Sequence, residues 1–529
     1  MPDRKRICII GAGAAGMSTA LAFSAHPDRY HITVFDKEEV AGGMATSADL
    51  EFKEGSKDQE SERVGSNWVN DGVQGCSPAF YNTIKVLDML GYQGTEVNMQ
   101  ISFGKGEEEF WTNVFPSSLI ERFKSDIAKF GRVLKVIQVS EPIFVFVSVQ
   151  KLLKIFLFDK EFGDLIVYPL VALFFGTGNQ TPFIPSTILS RVFSDPSMKL
   201  FEFSSETFLD SVPKMMAFPR LSLVYKRWQE EVSLRAGKDG VTWGLGKEIA
   251  EIVTRSSKGK DGKCIIRWKE GEDEGTEAFD EIVFACDADA ALKILGKQAT
   301  WREKFVLGNV KYLYDVTYTH QDAEYMQKYY ELKEPKNLKS DNAGGEDQQP
   351  WNPLYFIHSY PEDRKKLEMS FDLTVYQPQF ENQTKAGPKR EWDESDKAKQ
   401  PEREVGDHVF QTIFLNKEDS EHWTVNDIRK EKILGIKWWK QQSHRWQHYI
   451  GCVALMMFIN GKNHTRYAGA WTVLNMHEIA VTSGFAAAYS LGADYLFSGD
   501  KDASRLFKLV VGISYGSRVR KSDRSGLLA

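Results

Sequence analysis

Apolar residues cluster at positions 6–10, give way to glycines over 11–16, resume over 17–24, and alternate with polar ones over 31–35. That pattern predicts a strand, a tight turn, a helix and a second strand, a β-α-β unit at the start of the chain. Phe80, Ile84, Leu87 and Leu90 recur at helical spacing and stop at Gly91, as in a helix that packs by one face and ends on glycine. Residues 264–268 and 281–285 are β-rich, separated by a charged, glycine-containing loop over 269–275, and read as a sheet returning to the first unit. A short helix follows over 288–295. Residues 367–375 and 408–414 give candidate strands of a second sheet, and 476–491 a helix rich in Ala and Val closed by Gly492. Two polar stretches without period, 335–349 and 381–407, read as exposed loops or partly disordered insertions. No internal repeat is visible.

The most apolar region, 142–175, is interrupted by Lys151, Lys154, Asp159, Lys160, Glu161 and Asp164, leaving no run of about 20 uncharged residues to cross a bilayer. Buried helices explain it best; a surface lining a lipid-like substrate channel, or resting on a membrane, is the alternative. At 529 residues, 42% hydrophobic and 26% charged, the chain is large enough for two or more packed units. The net charge of −6 and the absence of a basic stripe disfavour nucleic acid. Five scattered cysteines without CxxC spacing point to neither a disulfide framework nor a metal site. The start of the chain lacks the form of a signal peptide, so a cytoplasmic location is expected. The cluster Trp438, Trp439, His444, Trp446, His448 and Tyr449 lacks a supporting carboxylate or cysteine and reads as packing rather than a metal centre.

Chemistry enters with the turn. Gly11-Ala12-Gly13-Ala14-Ala15-Gly16 matches G-x-G-x-x-G between a strand and a helix, and Asp36 follows 20 residues after Gly16 at the end of the next strand. Gly11 permits the tight turn, Gly13 lets backbone approach a pyrophosphate, and Gly16 lets helix and strand pack closely. The helix N-terminus offers N–H donors to phosphates, and Asp36 can accept from ribose hydroxyls. This fingerprint alone does not separate FAD from NAD.

The continuation Asp36-Lys37-Glu38-Glu39-Val40-Ala41-Gly42-Gly43-Met44-Ala45-Thr46 places an acidic residue six positions before a glycine pair. It resembles the extended motif of the flavin-containing amine oxidase superfamily, two-dinucleotide-binding-domain flavoproteins that include amine oxidases, phytoene-type desaturases, protoporphyrinogen oxidases and fatty-acid double-bond isomerases. Met44 departs from the arginine that many members carry there. The segment from Val69 and Asn70 through Asp71 to Gly75 resembles one lying against the flavin in a branch of predicted FAD/NAD-binding oxidoreductases related to fatty-acid isomerases; the other reading makes Asp71 a helix or turn cap. Residues 280–286 resemble the family's D-x-V-V-x-A strand, placing Ala285 at the cofactor. Residues 249–255 resemble its V-x-x-I strand, which makes Ile249 a backbone partner of adenine, although Pro219-Arg220-Leu221 replaces the usual upstream glycine pair. Gly469-Ala470-Trp471 with Asn475-Met476-His477-Glu478 resembles the last FAD motif, in which a glycine turn passes the ribityl phosphate and a helix N-terminus faces the flavin pyrimidine edge.

The resemblance implies an α/β protein, with a Rossmann-like FAD-binding domain (1–125, 215–300 and 460–500), an interleaved α+β substrate domain (126–214 and 301–459) and a C-terminal tail (501–529). It implies noncovalent FAD held by Gly11, Gly13, Ala14, Ala15, Gly16, Asp36, Lys37, Gly42, Gly43, Met44, Ala45, Val69, Asn70, Ile249, Ala285, Gly469, Ala470, Trp471, Asn475, Met476 and His477. His477 and Glu478 are the candidate catalytic pair, His477 as a proton shuttle; the alternative is that both only cap the helix. The expected function is an FAD-dependent oxidoreductase taking hydride from a small hydrophobic substrate, with dioxygen a candidate acceptor. A redox-neutral double-bond isomerase of an unsaturated fatty acid or lipid, an amine oxidase and a non-catalytic flavin-binding scaffold are the alternatives.

Overall fold

The computed structural model describes residues 4–52, 57–194, 201–209, 212–255, 263–335, 337 and 350–520. The polar stretch expected over 335–349 therefore lies largely outside the described residues. In chain order the elements that position the site are β1 (Lys5–Ile10), α1 (Ala14–Ser24), β2 (Tyr30–Asp36), α2 (Tyr81–Met89), β3 (Ile101–Phe103), β4 (Trp111–Thr112), α3 (Lys124–Val139), α4 (Val149–Ile155) and α5 (Leu221–Ala236). Then come β5 (Val241–Leu245), β6 (Glu248–Arg255), β7 (Cys264–Glu270), β8 (Asp273–Phe279), β9 (Glu281–Phe284), α6 (Ala288–Leu295), α7 (Trp301–Gly308) and β10 (Tyr312–His320). The rest are β11 (Tyr355–Tyr360), β12 (Asp363–Asp372), β13 (Phe410–Phe414), β14 (Ile433–Gln442), α8 (Trp446–Gly451), β15 (Thr465–Tyr467), α9 (His477–Ser490) and α10 (Lys501–Tyr515).

A parallel sheet in the order β5-β2-β1-β9-β15 forms the first unit, with Ile7 opposite both Ile32 and Glu281. Its central strands are apolar on both faces, as a parallel sheet covered on both sides requires: Ile7, Cys8, Ile9, Ile282, Val283 and Phe284 are all buried. Helices α1 and α9 lie against it at close quarters. A side-chain carbon at Gly484 of α9 would sit 2.2 Å from the Ala15 carbonyl oxygen, and Thr19 donates to the Gly484 carbonyl at 3.1 Å.

The second unit is a seven-stranded sheet in the order β14-β10-β13-β12-β11-β3-β4. All its pairs are antiparallel except β11 with β3. Strands β3 and β4 come from the part of the chain grouped by sequence with the nucleotide domain, so the exchange between units begins earlier than expected. The helical region 124–194 packs behind this sheet around Phe130, whose ring meets Phe162 and Phe208.

Three local expectations change. The loop expected over 269–275 is a tight turn at Gly271, whose φ of +59° suits glycine, and the residues after it form β8, paired with β7 from Glu270↔Asp273 to Cys264↔Phe279. Strand β8 escaped the hydrophobic pattern because it edges a small antiparallel sheet, β6-β7-β8, with its charges in solvent; only β9 returns to the nucleotide sheet. The strand expected over 367–375 ends at Asp372, whose carboxylate accepts from Val375 N–H and turns the chain into a short helix. The segment 501–529 holds α10, which buries Leu506, Phe507, Val510 and Val511 against α2 and α9.

One buried ion pair ties this domain together. Arg255 of β6 meets Glu303 of α7 at 2.6 Å, both side chains 2% exposed, and Tyr467 of β15 donates to the same carboxylate at 2.7 Å. Burial alone would raise the Glu303 carboxyl, but Arg255, aided by Thr300 and Tyr467, holds it below the usual carboxylate range. A depressed carboxylate contributes stability above its unfolded pKa and loses it as pH falls through the folded value. Thermal unfolding should therefore show this contribution intact at neutral pH and lost below about pH 4. Glu303→Ala, which leaves Arg255 buried and unpaired, should cost about 3–5 kcal/mol at pH 7 in denaturant titrations.

Candidate functional site

The corner between β1 and α1 is set by three glycines with different duties. Gly11 adopts φ +113°, and a side-chain carbon there would stand 2.5 Å from the Ala285 carbonyl oxygen. At Gly16 the same carbon would stand 1.8 Å from the Gly11 carbonyl oxygen. Gly13 has an ordinary φ of −75°, and its side-chain position meets nothing nearer than Gly43 Cα at 3.8 Å. Across it runs the Gly42-Gly43 pair, held by Gly42 N–H to the Ala12 carbonyl at 3.0 Å, with φ +146° and +61°.

Helix α1 begins on Gly13 with no side-chain cap and no acid in its first turn. Helix α9 begins on Met476, also without a side-chain cap. Both present backbone N–H groups and a partial positive charge to the same region. Gly11, Gly13, Ala14, Ala285, Ala470, Asn475, Met476 and His477 stay partly accessible among buried neighbours, beyond the carboxyl ends of β1, β9 and β15 and at the starts of these two helices, a region termed the groove. Ala15 and Gly16 lie beneath it. Ala45 is buried, Met44 is exposed, and Gly43 is open over Gly13.

Asp36 has a first duty within the protein. Its two carboxylate oxygens accept from Ala12 N–H at 2.6 Å and Glu38 N–H at 3.0 Å, fastening the glycine turn to the end of β2. Each oxygen retains a second lone pair for an outside donor. Lys37 points into solvent beside Glu38.

Several sequence candidates have partners within the protein. Asn70 is buried and saturated: its amide donates to the Phe218 and Pro219 carbonyls, and its oxygen accepts from the Ser47 hydroxyl and the Leu221 N–H. Val69 belongs to a buried cluster with Leu50 and Val64, and Ile249 to one with Phe35. Trp471 is buried and donates to the Cys286 carbonyl at 3.0 Å, clamping the Gly469 turn (φ +146°) to the end of β9.

The candidate catalytic pair divides. Glu478 turns away from the groove and caps α2: its carboxylate accepts from Asn82 N–H (2.9 Å), Asn82 Nδ2 (2.8 Å) and Thr83 N–H (2.8 Å). Burial raises this carboxyl, and those donors oppose the rise. His477 faces the groove, but both ring nitrogens are engaged, Nδ1 with the Thr83 hydroxyl at 3.1 Å and Nε2 with the Tyr225 hydroxyl at 3.0 Å. Burial pulls its pKa down to about 4, so the ring is neutral at physiological pH. The Cys286 thiol, next to Ala285, is pushed up by burial and stays protonated.

Sequence reasoning missed Lys437 and Gln441 on β14, both reaching the groove's margin. Lys437 binds Asp71 at 2.7 Å and the Thr46 hydroxyl at 2.9 Å, and Thr46 donates to Asp71 at 2.7 Å. Gln441 accepts from Asn475 at 2.9 Å. Asp71 thus joins the Gly42–Thr46 segment to the second sheet rather than capping a turn, and Gly72 lets the Met44 carbonyl and the Trp439 ring approach. A lone lysine in a strand gives no sequence signal. Among the described residues no group of three or more His, Cys, Asp or Glu is placed to hold a metal ion, and no helix is long and apolar enough to cross a membrane.

Comparison with known proteins agrees with this geometry. Residues 9–84 match the family model of the NAD(P)-binding Rossmann-like domain. No curated protein matches the sequence. Among solved structures the chain is similar to the CLA-producing fatty acid isomerase from P. acnes (12% identity, TM-score 0.54, 91% of this chain and 97% of that one). It is equally similar to a putative protoporphyrinogen oxidase from Exiguobacterium sp. 255-15 (12%, 0.54, 92% and 99%). Cyclohexylamine oxidase from Brevibacterium oxydans gives 11%, 0.55, and 92% and 100%. The chain therefore has the two-unit α/β fold of amine-oxidase-like proteins, with a Rossmann-like nucleotide unit.

Two outcomes follow from the divided pair. Glu478→Ala strands two buried N–H groups of α2 and should lower stability by about 2–4 kcal/mol in denaturant unfolding. The Cε1 proton of His477, followed by NMR, should titrate near pH 4 and show no inflection near 6.5.

Proposed function

We propose that this protein binds FAD noncovalently in the groove between α1, the Gly42-Gly43 pair and α9, and is an FAD-dependent oxidoreductase acting on a small, apolar organic substrate. The observation that carries the reading is the open face of Gly13. Packing demands glycine at positions 11 and 16; at 13 neither backbone conformation nor any neighbour does. A residue without a side chain where the protein itself leaves room suits close approach by a diphosphate, with Gly43 on its other side. Uncapped N–H groups of α1 supply donors for its oxygens, and Asp36 takes ribose hydroxyls on its remaining lone pairs.

FAD, when bound, supplies a hydride acceptor. The residues of this chain bind, orient and set the field around it. The N-terminus of α9 favours negative charge at the end of the groove where Asn475, Met476 and His477 meet. Thr83 and Tyr225 lock the neutral His477 ring in one orientation, where it lends shape without adding charge. The Lys437–Asp71 pair holds the Gly42–Thr46 segment against the second sheet, which carries the substrate side.

A redox-neutral isomerase of an unsaturated lipid is the second reading, favoured by His477. His477 has no free nitrogen with which to take a proton, and moving hydride off and back onto one carbon chain needs neither a net acceptor nor a histidine base. The fold shared with both a fatty acid isomerase and oxidases supports either outcome.

Purified protein should be yellow, with flavin absorbance that leaves with the denatured chain's supernatant; colourless protein that FAD does not reconstitute would overturn the reading. Gly13→Ala should fold with stability within about 1 kcal/mol of the parent yet lose flavin affinity by an order of magnitude or more. Anaerobic mixing separates the reactions. Bleaching by amines or other reductants with peroxide on admitting air marks an oxidase, and a new diene band without oxygen uptake marks an isomerase.

A further inference from the structure

The helical region behind the second sheet leaves large apolar side chains in solvent. On α3, Ile127, Phe130, Val133, Leu134 and Ile137 are buried, so the opposite stripe at helical spacing is Arg132, Lys135, Val136 and Val139. Val139 is 87% exposed, and one turn further on Ile143 is 65% exposed. Phe146, 56% exposed, packs its ring 6.1 Å from that of Trp446 on α8, itself 44% exposed, so the apolar surface continues onto a second element. Phe183, 50% exposed, adjoins Ile184, whose carbonyl accepts from Val149 N–H at the start of α4. Leu157, just past α4, is 83% exposed in a left-handed backbone conformation (φ +52°), and Lys129 holds its carbonyl at 2.8 Å. A leucine kept in that strained conformation with its side chain in water calls for something outside the chain.

Charge identifies what. Over residues 124–160 there are seven Lys or Arg and three Asp or Glu, against a net −6 for the whole chain. Asp126 is paired with Lys129, Glu141 with Arg191, and Asp159 caps the helix that follows. Arg132, Lys135, Lys151 and Lys154 form no ion pair among the described residues, and they flank the apolar side chains on α3 and α4. A protein partner matching this face would be acidic and apolar; a bilayer bearing anionic headgroups matches it without further assumption. Apolar side chains would enter the acyl boundary, Trp446 would sit at headgroup level, and the cations would meet phosphate or carboxylate.

We infer that residues 132–157, with Phe183 and Trp446, form a surface that docks on an anionic lipid bilayer. The inference is independent of which reaction the groove supports, since no residue of the surface belongs to the groove.

The test is co-sedimentation of the full-length, flavin-loaded protein with vesicles of phosphatidylcholine alone or with about one-third phosphatidylserine. Binding is expected to the mixed vesicles, weakened by salt and much weaker to phosphatidylcholine. Lys135→Glu/Lys151→Glu/Lys154→Glu should weaken it by at least about 100-fold, at roughly fivefold per cation. Ile143→Ser/Phe146→Ser/Leu157→Ser should abolish it. All six positions are exposed, so both variants should keep the parent's flavin content and unfolding midpoint, which separates failure of docking from failure of the fold. No binding to mixed vesicles, or binding that neither variant diminishes, would overturn the inference. So would a dimer in sedimentation velocity that the serine variant converts to monomer, which would assign the surface to a second copy of the chain.

Discussion

The close contact of α1 with α9 is the constraint on which the rest depends. These helices come from opposite ends of the chain, yet Gly484 brings the backbone of one against the Ala15 carbonyl and Ser18 hydroxyl of the other. Thr19 adds a hydrogen bond to the Gly484 carbonyl across the contact. A side-chain carbon at Gly484 would overlap the Ala15 carbonyl oxygen at 2.2 Å, so any larger residue would push the helices apart. Their N-termini, at Gly13 and Met476, both lack a side-chain cap and both follow strands of the same parallel sheet. The parallel sheet makes this geometry available: β1 and β15 flank β9, so the turn after each strand leaves from the same end of the sheet.

The second unit is fastened to that groove by polar contacts rather than by an apolar seam alone. Lys437–Asp71 and Asn475–Gln441 cross from β14 to the glycine-rich segment and to the approach of α9. Gln377 binds both the Asn70 backbone and the Gln74 side chain, and Gln74 in turn binds Gln411 of β13. Buried polar contacts of this kind are directional, and a shifted sheet would leave their donors unsatisfied. They therefore fix the distance between the nucleotide unit and the sheet that faces it more sharply than hydrophobic packing does.

What was legible in the sequence follows from where each signal originates. Gly11, Gly16 and the Gly42-Gly43 pair could be read because positive φ or close backbone approach demands glycine there, and Gly13 and Asp36 because the nucleotide fingerprint fixes their spacing. The α9 motif could be placed by its resemblance to the last flavin motif. The division of His477 from Glu478 could not, because adjacent helical residues point about 100° apart and only the packing of α2 decides which one faces the groove. Strand β8 was hidden by its charges, since an edge strand of a small exposed sheet need not alternate. Asn70 looked like a contact to a cofactor because of its motif, whereas its four partners, Ser47, Phe218, Pro219 and Leu221, come from segments that sequence order does not bring together.

Met44 gains a physical reading from this arrangement. Where many members of the resembled superfamily have an arginine, this groove has a thioether, and the nearby Lys437 is neutralised by Asp71 at 2.7 Å. His477 is uncharged, Lys37 lies in solvent, and Arg220 reaches back over Trp68 and towards Asp49. The peptide N–H groups at the starts of α1 and α9 thus offer positive partial charge that depends on none of these side chains. Such dipoles are fixed by the fold, do not titrate, and cost no side-chain entropy on binding. They act only over the first turn of each helix, and the contact at Gly484, about two turns into α9, sets that helix against the start of α1, so the glycine there holds the separation of the two helices.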